Sequence, residues 1–364
     1  MDKQRENNHG MICPACGAGM KYNPELGTLH CEHCNTQCEI KMDRRIEETS
    51  FDEAVVSEAR DWNEDDVKLI KCSKCGAKLV FEAQSQVKQC RYCGSTSIDI
   101  VVDEKTISPG YVIPFSIGEK EAIKAFGEWI QNCTFAPSDI RKLLKLDVLR
   151  GLYVPVWTYD VEVEGFYTAD RGDYYYITKT REEDGKTKTY EERRTRWSYV
   201  NGPYKNFFDD VLVAASPNAK ESLLRTMGGV NAEKLVKYKP EYLAGFAAEK
   251  YSITLEAGWE EAKKAIVDKI TDDMKAQIGG DALRNLNYNL EFKDITFKHL
   301  LLPVWKTKYK YNEKLYEITI NGITGEVEGK YPKSILQIIK NAGLMLFAIA
   351  LFIFIIYEVG SLIL

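Results

Sequence analysis

Eight cysteines, set out as one pattern used twice, constrain this chain more than anything else in it. They read Cys13-Pro-Ala-Cys16 with Cys31-Glu-His-Cys34, then Cys72-Ser-Lys-Cys75 with Cys90-Arg-Tyr-Cys93. In both sets 14 residues separate the paired motifs, and each cysteine of the second set lies 59 positions after its counterpart in the first. A Cys-x-x-Cys turn presents two thiolates on one side, and two such turns supply the four soft ligands of a tetrahedral zinc ion. The spacer is slightly shorter than the usual span of roughly 15–20 residues and still allows a short hairpin. Gly17 and Gly76 follow the second cysteine of each first pair. A residue without Cβ lets the turn amides approach sulfur there. The spacing predicts two structural Zn2+ ions, one on Cys13, Cys16, Cys31 and Cys34, the other on Cys72, Cys75, Cys90 and Cys93.

The competing reading is a disulfide framework. The opening MDKQRENNHG has no apolar signal-peptide core. In a reducing compartment the same spacing indicates metal. Two cysteines are left over. Cys38, four residues past the first ribbon, is a possible spare ligand, and Cys133 reads as a core residue on an apolar helical stripe. His30 and His33 sit inside the first ribbon and could replace a thiolate, but the thiolate set there is already complete.

A length of 364 residues suggests two or three domains, and 45% hydrophobic with 28% charged residues is ordinary for a folded protein. The net charge of −5 argues against a whole-molecule binder of polyanions. The charge is uneven. Residues 39–68 hold five basic and eleven acidic side chains, whereas 69–98 hold five basic and one acidic. The second ribbon therefore either presents a solvated lysine-rich face or touches an anion.

Residues 342–357 read AGLMLFAIALFIFIIY, without a charge. Ala342 to Leu364 makes a helix of roughly 34 Å at about 1.5 Å per residue, against a hydrocarbon core of about 30 Å. Glu358 is expected near the far interface. Lys330, Lys333 and Lys340 precede the segment and nothing basic follows it. Basic flanks stay cytoplasmic. Residues 335–364 are therefore expected to be a single-pass anchor in the lipid bilayer of the cell (inner) membrane, with the N-terminal body cytoplasmic.

The expected fold class is multidomain: two small β zinc ribbons, an α+β cytosolic body and one C-terminal transmembrane helix. The ranges are 11–38 for ribbon one, 39–68 for an acidic linker with some helical character, 69–98 for ribbon two, 105–332 for the α+β domain and 335–364 for the anchor. Within the body, Ser116-Ile-Gly-Glu119 suggests a capping box. Ile123, Phe126, Trp129, Ile130 and Cys133 follow it at helical spacing. A short helix is expected near Ser138, a strand within 151–165, long polar strands over 166–200 with a tip at Asp184-Gly185, and a helix from Ser216-Pro217. The longest helix is expected over 257–278, with Trp259, Ala262, Ile266, Ile270 and Met274 on one stripe. Strands at 301–311 and 315–328 close the region, with turn chemistry at Asn321-Gly322 and Thr324-Gly325. Leu152-Tyr-Val-Pro155-Val-Trp157 echoes Leu300-Leu-Leu-Pro303-Val-Trp305, with Val112-Ile-Pro114-Phe115 a weaker third copy. A duplicated unit and independent buried strands both explain the echo.

The stretch Tyr174–Tyr204 mixes Tyr174, Tyr175, Tyr176, Tyr190, Trp197 and Tyr199 with Arg181, Arg193, Arg194 and Arg196. Aromatics and arginines of this kind stack on bases and pair with phosphates. Interleaved Glu182, Glu183, Asp184, Glu191 and Glu192 point equally to cross-strand ion pairs on a solvated sheet. Enzyme signatures are missing: no G-x-x-x-x-G-K-[ST], no H-E-x-x-H and no G-x-S-x-G. A histidine-based site beyond the ribbons would rest on His299.

Taken together, Val112–Phe115, Trp129, Phe135–Asp139, Gly151–Trp157, Phe207–Val213, Tyr238–Phe246, Leu301–Trp305 and Asn321–Gly329 resemble the motifs of a bacterial family, the TFIIB-type zinc-ribbon-containing proteins. The resemblance runs from about residue 11 to 332. One departure is Ser116, where the family more often has lysine. Members often carry the label of primosomal replication-restart helicase through their ribbons alone. The chain lacks the nucleotide-binding core that a helicase needs. The resemblance also implies kinship with membrane components encoded beside phage-shock protein A and flotillin-like (SPFH) proteins in envelope-stress systems.

Two functions follow as expectations. The first is a membrane-anchored, non-enzymatic scaffold with protein partners, phage-shock protein A and flotillin-like proteins among those the resemblance implies. The second is a membrane-tethered nucleic-acid-binding protein linked to replication or transcription, with ribbon two on phosphates. Salt-dependent binding of DNA or RNA separates them, because phosphate contacts release counterions.

Overall fold

The computed structural model describes residues 11–56, 67–82, 87–101, 108–137, 139–140, 149–183, 186–216, 234–312 and 314–363. The opening ten residues, the helix expected near Ser138, the Asp184-Gly185 tip, the helix expected from Pro217 and the Glu358 side chain lie outside the described residues.

In chain order, β1 (Lys21–Asn23), β2 (Thr28–His30) and β3 (Gln37–Glu39) form a small antiparallel sheet. Then come β4 (Thr49–Ser50), α1 (Phe51–Val56), β5 (Val67–Cys72), β6 (Lys78–Glu82) and β7 (Ile98–Val101). The body adds β8 (Tyr111–Val112), α2 (Glu119–Asn132), β9 (Arg150–Glu183), β10 (Lys186–Ala214), β11 (Val236–Lys237), β12 (Ala247–Glu249) and α3 (Leu255–Ile278). It closes with β13 (Ala282–Tyr311), β14 (Lys314–Asn321), β15 (Val327–Gly329) and α4 (Ile335–Ile363).

Among the described residues a 12-stranded sheet runs β11-β8-β13-β9-β12-β6-β5-β7, with β10 on β9, β4 and β14 on β13, and β15 on β14. The strands of the second cysteine set thus belong to the body's sheet, through Ala248 opposite Val80 and Glu249 opposite Leu79. The first set keeps its own sheet but shares the body's core. Tyr22 donates its amide to Ala244 O at 2.9 Å and its hydroxyl to Phe115 O at 3.2 Å. Its ring meets Tyr242 edge-on at 5.6 Å. The architecture is a mixed α+β body with two four-cysteine clusters, the first on a small sheet of its own and the second at one end of the body's sheet.

The echoed segments lie side by side. Leu152–Trp157 pairs antiparallel with His299–Val304, and β8 runs parallel to β13 at Leu300–Leu301. The two tryptophans do matching jobs. Trp157 Nε1 donates to Ile253 O at 3.0 Å just before α3, and Trp305 Nε1 donates to Ile117 O at 3.1 Å just before α2. Each strand thereby fixes the entry of a helix.

Helix α3 starts where Thr254 Oγ1 accepts from Ala257 N at 3.3 Å and stops at Gly279, whose φ of 66° a side chain would strain. Its stripe of Trp259, Ala262, Ile266, Ile270 and Met274 is buried against β9 and β10. Gly258 weakens a helix interior by about 1 kcal/mol. It is needed because an added Cβ would lie 2.5 Å from the Tyr159 hydroxyl, which donates to Leu255 O at 2.6 Å. Helix α2 starts later than expected, at Gly118 rather than Ser116. Glu121 still reaches back to the Gly118 amide at 3.1 Å, so the carboxylate half of the box forms without a hydroxyl partner. Cys133 caps α2 and is half-buried beside Ile130.

The largest departure from the sequence reading is β13. The stretch 282–300 lies outside the expected strands, although Leu286, Tyr288, Leu290 and Phe292 alternate with Asn287, Asn289, Glu291 and Lys293; it pairs with β9 from Ala282 to Lys306 with shifts at Arg284/Asn287 and Lys293/Thr296. Helix α4 begins at Ile335, seven residues before the uncharged run, with Ser334 as its cap: Ser334 O accepts from Ile338 N at 3.0 Å. Ile335–Ile355 is long and apolar enough to cross a membrane, and none of it is buried.

Candidate metal centres

Four short turns of the same design carry the eight cysteines. In each, the first cysteine's carbonyl accepts the amide four residues on: Gly17 to Cys13, Asn35 to Cys31, Gly76 to Cys72 and Gly94 to Cys90, at 2.8–2.9 Å. The same cysteine's amide donates to the next carbonyl along, from Ala18, Thr36, Ala77 and Ser95, at 2.7–2.9 Å. The residue after each second cysteine is left-handed, with φ of 73° at Gly17, 61° at Asn35, 72° at Gly76 and 76° at Gly94. Glycine and asparagine tolerate that region best. Sequence reading found Gly17 and Gly76. Asn35 and Gly94 stand at the same offset and were readable by the same rule.

The turns bring Cys13, Cys16, Cys31 and Cys34 together, and likewise Cys72, Cys75, Cys90 and Cys93, each set with its sulfurs within 4.8 Å of one another. Cys13–Cys34 and Cys16–Cys31 are 3.4 and 3.6 Å apart, and Cys72–Cys93 and Cys75–Cys90 are 3.6 and 3.8 Å apart. A zinc–sulfur bond of about 2.3 Å gives a tetrahedron with edges of about 3.8 Å. A disulfide needs about 2.05 Å, and all these cysteines are free. The separations fit a tetrahedral thiolate site for a metal ion such as zinc. Cys38, His30 and His33 belong to neither group.

The thiols are unequal. The Thr36 hydroxyl, at 3.1 Å, and then the Thr36 amide pull Cys34 down to about 6. The Ala18 amide favours the Cys16 thiolate, but the neighbouring Cys34 sulfur and burial together push it up to about 12. Burial opposes ionisation at Cys72, yet the Cys75 and Lys74 amides bring it down to about 7. Burial, then Cys93 and Cys72 against the Ala77 amide, pushes Cys75 well up. Some thiols in each group ionise easily beside others that resist, and a central cation removes that resistance.

Neither centre stands apart from the body. Cys13 and Cys31 are core residues with Tyr22, Phe115, Tyr153 and Phe246, and Cys72 and Cys90 with Leu79, Phe81 and Val154. Tyr92, inside the last turn, gives its hydroxyl to Glu317 at 3.2 Å. The ammonium groups of Lys306 and Lys308 lie 4.6 and 4.8 Å from its ring centre.

A third group, missed by sequence reading, joins Asp160, Asp209 and Asp210. Lys298 sits among these acids. Its Nζ is 2.8 Å from Asp160, 3.1 Å from Asp210 and 3.3 Å from Glu48. The Lys298 and Asp160 side chains are 3% and 1% exposed. Burial works against the ammonium, but Asp160 and Asp210 outweigh it and hold its pKa above the ordinary lysine range. The only sequence signal was Phe-Phe-Asp-Asp at a strand bulge: Asp210 has φ of 50°, and its amide donates to Asp160 at 2.5 Å. Held charged, Lys298 acts as the counter-ion of these acids. His299, the one histidine outside the N-terminal region, packs its ring 4.5 Å from Trp157 and 5.5 Å from Tyr251 in the core.

No protein-family model matches the chain, and no solved structure matches it. Over 327 residues it is 29% identical to the uncharacterized protein YdjG of Bacillus subtilis (strain 168), a distant homologue, with 88% of this chain and 89% of that one covered.

Proposed function

We propose that this chain is a membrane-anchored scaffold of the TFIIB-type zinc-ribbon kind, held in shape by two structural Zn2+ ions and presenting its body to protein partners on the cytoplasmic face. The observation that carries the reading is the sharing of core between the buried cysteines and the body sheet. A metal placed there stiffens a surface rather than opening a reaction site. An exposed apolar helix leaves the same body. The resemblance points to partners of the phage-shock protein A and flotillin-like kind and to membrane homeostasis.

Deleting residues 335–364 is expected to move the protein from membranes to the soluble fraction with both metals retained. Fractionation and metal analysis check this, and truncated protein that still sediments with lipid in high salt would show that the anchor is not the membrane contact. Affinity capture with the full chain tests the partners: capture of no protein from membranes sinks the scaffold reading.

The protein is also expected to hydrolyse no ATP above background. Hydrolysis needs a loop cradling the phosphates, a lysine and a hydroxyl for magnesium. Gly325–Lys330 instead leads from a turn into β15, and Tyr331 stands where the hydroxyl is required. A turnover abolished by one substitution would overturn this.

A further inference from the structure

β13 stops pairing with β9 at Ala282, opposite Gly172. Beyond that rung β9 and β10 continue together to Glu183 and Lys186, roughly 35 Å at about 3.3 Å per residue. Directly opposed residues share a face of a sheet. One face of this ribbon therefore carries the rungs Asp173/Arg196, Tyr175/Arg194, Ile177/Glu192, Lys179/Tyr190 and Arg181/Lys188. The other carries Tyr174/Thr195, Tyr176/Arg193, Thr178/Glu191, Thr180/Thr189 and Glu182/Thr187. Charges interleaved along the sequence are thus sorted in space. Over these rungs Lys179, Arg181, Lys188, Arg194 and Arg196 face one way with Asp173 and Glu192 among them, and the register puts the last rung, Glu183/Lys186, on the same side, while the opposite face is rich in threonine.

Arg181 and Lys188 are directly opposed, which concentrates positive charge on this face. Glu192 is shared between Lys179 and Arg194. Tyr175 and Tyr190 are exposed among the cations, and the Arg196 guanidinium lies 5.5 Å from the Tyr175 ring centre.

We propose that this ribbon face docks an acidic protein surface; the proposal rests on the scaffold reading and names where one partner sits. Tyrosine and arginine around a small apolar centre, here Ile177, is the composition of protein interface cores. Glu192 and Asp173 inside the patch repel a continuous phosphate backbone but suit a protein surface of mixed charge. The chain's net charge of −5 likewise disfavours a nucleic acid. The other end of β13, at Tyr311, meets Asp139 near the Tyr331–Trp129 contact that leads into α4. The ribbon and the candidate span thus leave from opposite ends of β13, and adducts to lipid are read as an outcome of the test.

The test uses the full chain in its own membranes, with the photoreactive residue p-benzoylphenylalanine replacing Tyr190 on the basic face or Thr180 on the other. Irradiation is expected to attach a protein at position 190 and not at 180, through a peptide with an excess of Asp and Glu. Arg181→Glu with Lys188→Glu should cut that adduct about tenfold or more, whereas Arg193→Glu on the opposite face should leave it unchanged. Retained zinc content in each variant shows that it has folded. Adducts to nucleic acid or lipid, equal adducts from both faces, a partner peptide without acidic excess, or a yield indifferent to the reversal would overturn the assignment. Partners still captured by the full chain but never cross-linked at the ribbon would remove this surface and leave the scaffold reading standing. Capture of no protein at all would remove that reading itself.

Discussion

Replacing Cys75 by serine is expected to take the protein from two bound zinc ions to one. Cys75 is exposed, and serine nearly matches its size, so lost packing explains little of any effect. What goes is one of four thiolates around a dication. Structural zinc in small finger peptides is worth about 10–16 kcal/mol of apparent folding free energy near neutral pH, and a three-thiolate site keeps only part of that. The damage should spread along the shared core. Ile70 and Leu79 pack with Cys72 and Cys90, so amides of β5–β7 should lose exchange protection, and Tyr92 should release Glu317. The first centre, on its own sheet, should keep its metal and the protection at Tyr22. Metal analysis with exchange mass spectrometry reads both halves. Loss of both ions together would show that the centres are one cooperative unit. Wild-type protein with reduced, unmodified cysteines and no bound metal would remove the metal reading altogether.

Those centres were legible because everything that builds a cysteine turn lies within six residues. A two-residue gap sets the sulfurs, and a left-handed residue follows; Asn35 fills that place as well as the glycines do. Helix α3 was legible for a similar reason, since its buried stripe and its Gly279 stop are local. The long strand β13 was not. Asn285, Asn287, Asn289 and Asp294 give its first half the composition of a loop and mask the alternation of Leu286, Tyr288, Leu290 and Phe292, through which Leu286, Leu290 and Phe292 pack on the core, while its length is set by the pairing with β9. Face sorting on the β9–β10 ribbon was hidden too. It depends on which residue opposes which, and a slip of one position would exchange the faces.

The ion cluster around Lys298 shows the same limit at its sharpest, and it yields the second large expected effect. Glu48, Asp160, Asp210 and Lys298 come from four distant points of the chain, and a bulge between Phe208 and Val211 brings Asp210 into reach. Replacing Lys298 by methionine keeps much of the side chain's length and removes its charge. Asp160 would then sit buried without its counter-ion, and breaking a buried pair from one side typically costs about 3–5 kcal/mol. The variant should therefore melt several degrees lower while retaining both metals, which separates this defect from that of Cys75→Ser. The loss should be smaller at pH 5 than at pH 8. Buried acids without a partner favour their protonated form, so acidification relieves the variant and rising pH aggravates it. Adding Asp160→Asn to Lys298→Met should recover part of the stability, because the stranded charge is gone while the amide can still accept the Asp210 N–H. A Lys298→Met protein as stable as the parent at pH 8, or a double variant no better than the single one, would show that water reaches these acids and that the cluster does not hold the bulge in place.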